Sequence, residues 1–127
     1  MERESSQARD SLEQLRARLA QFAHARDWDQ FHSPKNLSMA LIAEAAELVE
    51  HFQWLSEEQS WQLDTDKHKA VRMELADIQI FLIRIADKLN VDLIDAAQTK
   101  IEINERRYPA DRVRGSAKRA SEYQDES

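Results

Sequence analysis

Glu74-Leu-Ala-Asp77-Ile-Gln-Ile-Phe81-Leu-Ile-Arg-Ile85 contains neither Gly nor Pro, and its apolar residues do not keep to one side. At steps of about 100° per residue, Ile78, Ile80, Phe81, Leu82, Ile83 and Ile85 surround nearly the whole circumference of a helix. A helix that is apolar all round is buried all round. Working outward, Val71, Leu75, Ile78, Leu82, Ile85 and Leu89 continue the helical spacing in both directions. Asp64 or Asp66 can cap the start, and Asn90 is a stop. Four modest helices can hardly cover such an element on every side, so a homo-oligomer is expected, a dimer at the least and compatible with a tetramer.

The rest of the 127 residues follows the same period. Leu12, Leu15, Leu19 and Phe22 form one stripe on a helix of roughly residues 5 to 26. Ser33-Pro34 is an N-cap followed by Pro at the first helical position. It opens a helix to about Trp54 that carries Leu37, Leu41, Leu48 and Phe52. Ser56 and Gln59 make a capping box for a short helix ending near Leu63. Asp92 caps a last helix reaching about Tyr108, which Pro109 closes. The expected fold is an all-α bundle of four main helices plus a short connecting helix, its core completed by oligomerisation. Residues 1–110 form the expected domain. Residues 111–127, including Arg112, Arg114, Lys118 and Arg119, are expected to be a polar, mobile tail.

Composition narrows the classes. One Gly, two Pro and no Cys, with 42% hydrophobic and 33% charged residues, suit long helices and exclude disulfides and thiolate metal sites. No run is long enough to span a membrane and no signal-peptide pattern follows Met1, so a cytoplasmic protein is expected. A formal net charge of −6 argues against sequence-independent nucleic-acid binding, which rests on cations neutralising phosphates. An acidic protein can still take a small polyphosphate where metal ions bridge the two.

Four acids suggest such a bridge. Glu44 lies seven residues after Leu37 and four before Leu48, within about 40° of both on a helix, so its carboxylate falls inside an apolar stripe. Glu47 is one turn further along. Glu74 and Asp77 repeat the i, i+3 pair beside Val71, Ile78 and Phe81. Like charges gathered where solvent is poor repel and lose hydration, so a cation must compensate them. Oxygen ligands without Cys or His favour Mg²⁺, with Mn²⁺ as a substitute, over zinc. Acidic pairs are also common on solvated faces, and Glu2 with Glu4 or Glu57 with Glu58 read as surface charge. A di-iron bundle wants Glu-x-x-His, but here Glu47 and Glu74 are followed three residues on by Glu50 and Asp77.

Glu44-Ala-Ala-Glu47 and Glu74-Leu-Ala-Asp77 together resemble the ExxE…ExxD signature of the MazG-like all-alpha nucleoside triphosphate pyrophosphohydrolases. Arg26-Asp-Trp28, Gln30-Phe-His32, Pro34, Asn36-Leu37, Phe52-Gln-Trp54, Val91-Asp-Leu93 and the Lys100, Asn104, Arg106-Arg-Tyr108-Pro109 segment look like the dCTP pyrophosphatase group. The similarity covers about residues 12 to 110. It implies Mg-dependent hydrolysis of a nucleoside triphosphate, dCTP or a 5-modified dCTP, to the monophosphate and pyrophosphate. It also implies Glu44, Glu47, Glu74 and Asp77 as catalytic metal ligands; any one of the four could double as the base, with Glu47 the first choice. Trp28, His32, Asn36, Trp54, Phe81, Lys100, Asn104, Arg107 and Tyr108 are the implied substrate contacts. By spacing alone, Trp28 and Trp54 could equally be core aromatics, and His32 a capping or surface histidine. The sequence departs from the group at Phe81, where a Tyr hydroxyl is expected, and at Leu19, where the animal enzymes are expected to carry His. Fewer donors for a base edge follow. The same chemistry on dUTP or a broad nucleotide range, a non-catalytic interaction module and a metal-binding regulator stay open.

Overall fold

The computed structural model describes residues 11–117, and every regular element among them is helical. In order these are α1 (Leu12–Ala25), a 3-10 turn (Asp29–Phe31), α2 (Pro34–Phe52), α3 (Glu57–Ser60), α4 (Thr65–Lys88), α5 (Leu93–Arg107) and α6 (Ala110–Val113). Four of the six helices are long, as the periodicity requires. Residues 5–10 of the expected first helix, Glu2 and Glu4, and the tail residues Lys118 and Arg119 lie outside the described residues.

Local chemistry sets the boundaries. Ser11, Ser33, Ser56, Asp64 and Asp92 each accept a backbone N–H from the first turn of the following helix, which satisfies a donor the helix cannot use. At Ser56 the box is reciprocal, because the Gln59 side chain accepts the Ser56 N–H. Two helices end alike. Asp27 and Asn90 have φ of 55° and 54°, and the next residue's N–H reaches back to a carbonyl inside the helix, Trp28 to Ala23 at 2.9 Å and Val91 to Ala86 at 2.8 Å. This left-handed stop turns the chain sharply. After α1 it delivers Trp28, the 3-10 turn and His32 in quick succession.

The chain divides into two compact units, Met1–Val91 and Asp92–Ser127. Within the first, α4 packs mainly against α2 and also against α1. The second holds α5 and α6, so the expected tail begins with a further turn of helix. The core of the protomer is small. Among the described residues only Ala23, Leu37, Val71, Ile83 and Ala86 are buried apolar side chains, whereas Met39, Ile42, Val49, Met73, Leu75 and Leu82 are exposed. The apolar run of α4 is therefore only partly covered, and Arg84, inside that run, is itself 3% exposed.

Candidate active site

Where α2 and α4 pack together, carboxylate oxygens of Glu44, Glu74 and Asp77 come within 4.8 Å of one another. All three residues are half-buried. Glu44 Oε2 and Glu74 Oε2 are shielded from solvent and accept no hydrogen bond. Burial, then hydrogen bonding to Glu74 and Glu47, then repulsion from Glu47 and Asp77 push the Glu44 carboxyl up to about 7. Glu47 is exposed and stands outside the tight trio, although it reaches Glu44. His51, one turn beyond Glu47 on α2, brings Nε2 to 3.8 Å from Glu74 Oε1. Its spacing of seven from Glu44 was the sequence signal for this neighbour.

Residues of α1, α4 and the segment after α1 line an apolar cavity of about 470 Å³. Its wall includes Leu19, Phe22, Trp28, Phe81 and Ile83, with His32 and Arg84 among its polar members. Ala76, Gln79 and Ile80 of α4 also line it, whereas Glu44, Glu74 and Asp77 do not. Trp28 stands edge-on to Phe22, with ring centroids 5.6 Å apart, and 6.3 Å from His32. Leu19 and Phe81, the two departures from the expected polar pattern, both face this space, which accounts for its apolar character.

Through Arg84 and His32 the cavity wall meets a charge network that spacing did not disclose. Arg84 Nη2 donates to Asp29 Oδ1 at 3.0 Å and lies 3.2 Å from His32 Nδ1; Nη1 reaches Asp87 Oδ2 at 3.4 Å. Lys88 also donates to Asp29 Oδ1, at 2.9 Å, and Arg16 to Asp87 Oδ1, at 3.2 Å. The Lys88 ammonium, aided by Arg84, holds the Asp29 carboxyl below its ordinary range against the effect of burial. Burial and the Arg84 charge lower His32, which keeps its imidazole neutral near pH 7. A lone Arg in an apolar run, with Asp87 three residues on, was the available sequence signal.

The remaining expected contacts are distributed differently. The Asn36 amide donates to the Phe31 carbonyl at 3.1 Å and so closes the 3-10 turn. Trp54 is 87% exposed and absent from the cavity wall, as is Trp61, also 87% exposed. Trp54 is thus no core aromatic of the protomer. Lys100, Asn104 and Arg107 are exposed on α5 of the second unit, and the Arg107 guanidinium sits 5.8 Å from the Tyr108 ring centroid.

Comparison with known proteins agrees with this architecture. Human dCTP pyrophosphatase 1 is 41% identical over 116 residues, covering 88% of this chain and 67% of the relative. The Bos taurus protein of the same name is 44% identical over 111 residues, covering 84% and 64%. The chain thus spans about two thirds of the length of these curated relatives. A crystal structure of a pyrophosphatase from Archaeoglobus fulgidus superposes with a TM-score of 0.73 at 37% identity, covering 76% of this chain and 91% of that one. The profile of the MazG-like family matches residues 40–123, a span that holds both acidic pairs. With sequence, fold and acidic helices in agreement, the chain belongs to the MazG-like family.

Proposed function

We propose that this protein hydrolyses nucleoside triphosphates to the monophosphate and pyrophosphate, with dCTP or a 5-modified dCTP as the preferred substrate. The observation that carries this reading is the convergence of Glu44, Glu74 and Asp77 at α4, the helix that also lines an apolar cavity holding Trp28. The names of the relatives, dCTP pyrophosphatases among them, support it.

The acids fit a hard divalent cation. They offer only oxygen, and two buried carboxylate oxygens have no other partner. Glu44, Glu47, Glu74 and Asp77 would hold Mg²⁺, with Mn²⁺ as a substitute. The bound metal supplies charge neutralisation for the triphosphate and acidifies water. The protein's own groups do the rest. Glu44, neutral up to about pH 7 without metal, gives up its proton when a cation arrives. Glu47 is exposed and outside the trio, so its carboxylate is the one free to accept a proton from the attacking water. Trp28 stacks on the base, a contact that tolerates any base. The cavity excludes water from the base while the phosphates lie toward the acids. Leu19 and Phe81 remove base-edge donors, which loosens discrimination among pyrimidines.

The proposed working form is a homo-oligomer in the cytoplasm. Five buried apolar residues among residues 11–117 cannot offset the ordering entropy of that span, and the uncovered faces of α2 and α4 need a second copy. No helix among the described residues is long and apolar enough to cross a membrane. Light scattering should give a mass at least twice 14.8 kDa; a folded monomer at micromolar concentration would refute the assembly.

Pyrophosphate release from a panel of nucleotides with Mg²⁺ tests the activity and the base preference together. Absence of release from every nucleotide would return the protein to a non-catalytic binding role.

A further inference from the structure

The geometry around Arg84 assigns a proton. A guanidinium has donors only, so the 3.2 Å contact between Arg84 Nη2 and His32 Nδ1 requires Nδ1 to accept. A neutral imidazole then carries its hydrogen on Nε2. The guanidinium is not free to change this arrangement. It is 3% exposed, and its two ends are held by Asp29 and Asp87, which arrive from the 3-10 turn and from one turn further along α4. Those two carboxylates are anchored in turn by Lys88 and Arg16. His32 lines the apolar cavity next to Trp28. The other polar side chains on its wall, Arg18 and Gln79, are exposed, and Arg84 Nε is sealed from solvent. His32 is therefore the group placed to read a polar edge inside.

We propose that Arg84 is a positioning residue that locks His32 as the Nε2–H tautomer, so that the cavity donates a hydrogen bond to the unprotonated N3 of a cytosine and disfavours uracil and thymine. Cytosine N3 is an acceptor, whereas in uracil and thymine N3 carries hydrogen and would meet the imidazole donor head-on. The opposite tautomer would reverse the preference. A site committed to one hydrogen-bonding sense discriminates far better than an apolar slot. The proposal rests on the reading of this cavity as the base site, and it supplies the donor that Leu19 and Phe81 do not.

Two measurements separate this inference from the activity. Long-range ¹⁵N–¹H NMR of the full-length, nucleotide-free protein reads the tautomer of His32 directly. The wild type should show Nε2–H above pH 7, and Arg84→Met, which keeps the alkyl length without a donor, should show a mixture or Nδ1–H. Asp29 and Asp87 keep Lys88 and Arg16 as partners in that variant, so the fold should survive. The second measurement is calorimetric titration with dCMP and dUMP, neither of which can be hydrolysed to pyrophosphate. The wild type should prefer dCMP, and the preference should fall about tenfold, a single hydrogen bond's worth, in Arg84→Met and in His32→Phe. His32→Phe keeps the ring and tests the donor even if Arg84→Met does not fold. An Nδ1–H imidazole in the wild type, or an unchanged dCMP preference in folded His32→Phe, overturns the proposal. Lack of pyrophosphate release would instead overturn the proposed activity and leave both of these results standing.

Discussion

Around Glu74 and Asp77, helix α4 gathers like charges; ten residues further on, around Arg84 and Asp87, it gathers opposite ones. The first cluster has three carboxylates within 4.8 Å and buried oxygens without partners. The second pairs each of its carboxylates with two cations at 2.9–3.4 Å. Both draw on the same helix, and of the two only the second lends residues, Arg84 and its neighbour His32, to the cavity wall. Compensated charge needs nothing from outside the chain and can fix a geometry. Uncompensated charge is unfavourable for folding and persists only if something else binds there. Under the proposed function the two clusters divide the labour, one holding shape and the other holding ligand.

The sharpest way to break this division is to neutralise one member on each side. Asp77→Asn or Glu44→Gln should reduce pyrophosphate release by about a thousandfold, as removal of a group acting in the reaction does. Circular dichroism should show the helices intact. Arg84→Met should stay within about tenfold of wild type, one hydrogen bond's worth, for dCTP. Near wild-type turnover in Asp77→Asn would show the acidic cluster to be mere charged surface.

Trp28 lines the cavity beside His32. Stacking binds ground and transition states about equally, so Trp28→Ala should raise KM roughly tenfold, within the 1–3 kcal/mol expected per base, with kcat nearly unchanged. Steady-state kinetics on dCTP decides it. A fall in kcat at constant KM would place the ring at the reacting phosphates instead.

How far these features were legible in the sequence depends on how local their causes are. The helices were, because apolar period and caps act within a few residues: Ser33-Pro34, the Ser56 box and Asp92 all do what their positions imply. The acidic trio was legible because each pair lies on one helix and only one packing contact was needed to join them. The compensating network was not. Arg84 sits among isoleucines, and Asp29 and His32 come from a turn more than fifty residues away, so no pattern along the chain announces them. The period also suggested burial on every side of residues 78–85, yet within the protomer Ile83 and Arg84 are buried while Leu82 is exposed. In the proposed homo-oligomer a second copy supplies the rest of that cover, which periodicity cannot specify.

Stability sharpens the comparison further. Removing Arg84 leaves two partly buried carboxylates with one cation each, and Arg84→Met should lower the unfolding free energy by about 1–3 kcal/mol. In chelator, Glu44→Gln should be at least as stable as wild type, since it relieves repulsion. Urea denaturation of both variants measures this. If Glu44→Gln proves the less stable, the acids are paired after all and the contrast fails.

The smallest expected effect concerns pH, and its sign follows from Glu44. Its carboxyl is raised from an ordinary 4.5 to about 7 in the folded protein. Below about pH 4.5 both states hold the proton. Between there and about pH 7 the folded state keeps a proton that the unfolded chain has released. Stability therefore declines as pH rises through this window, and the contribution is fully lost above it. The loss should appear as a few degrees of Tm at most in metal-free protein. Subtracting the Glu44→Gln curve isolates the contribution of Glu44 from that of the other titrating groups. Mg²⁺ favours the ionised carboxyl, so it should restore more stability at pH 8 than at pH 5. Asp29 of the Arg84 network, held below its ordinary range by Lys88 and Arg84, should add nothing to the slope. A wild-type minus Glu44→Gln difference that is flat from pH 4.5 to 7 would mean that Glu44 ionises as an ordinary surface acid and that the contrast between the clusters is one of position alone.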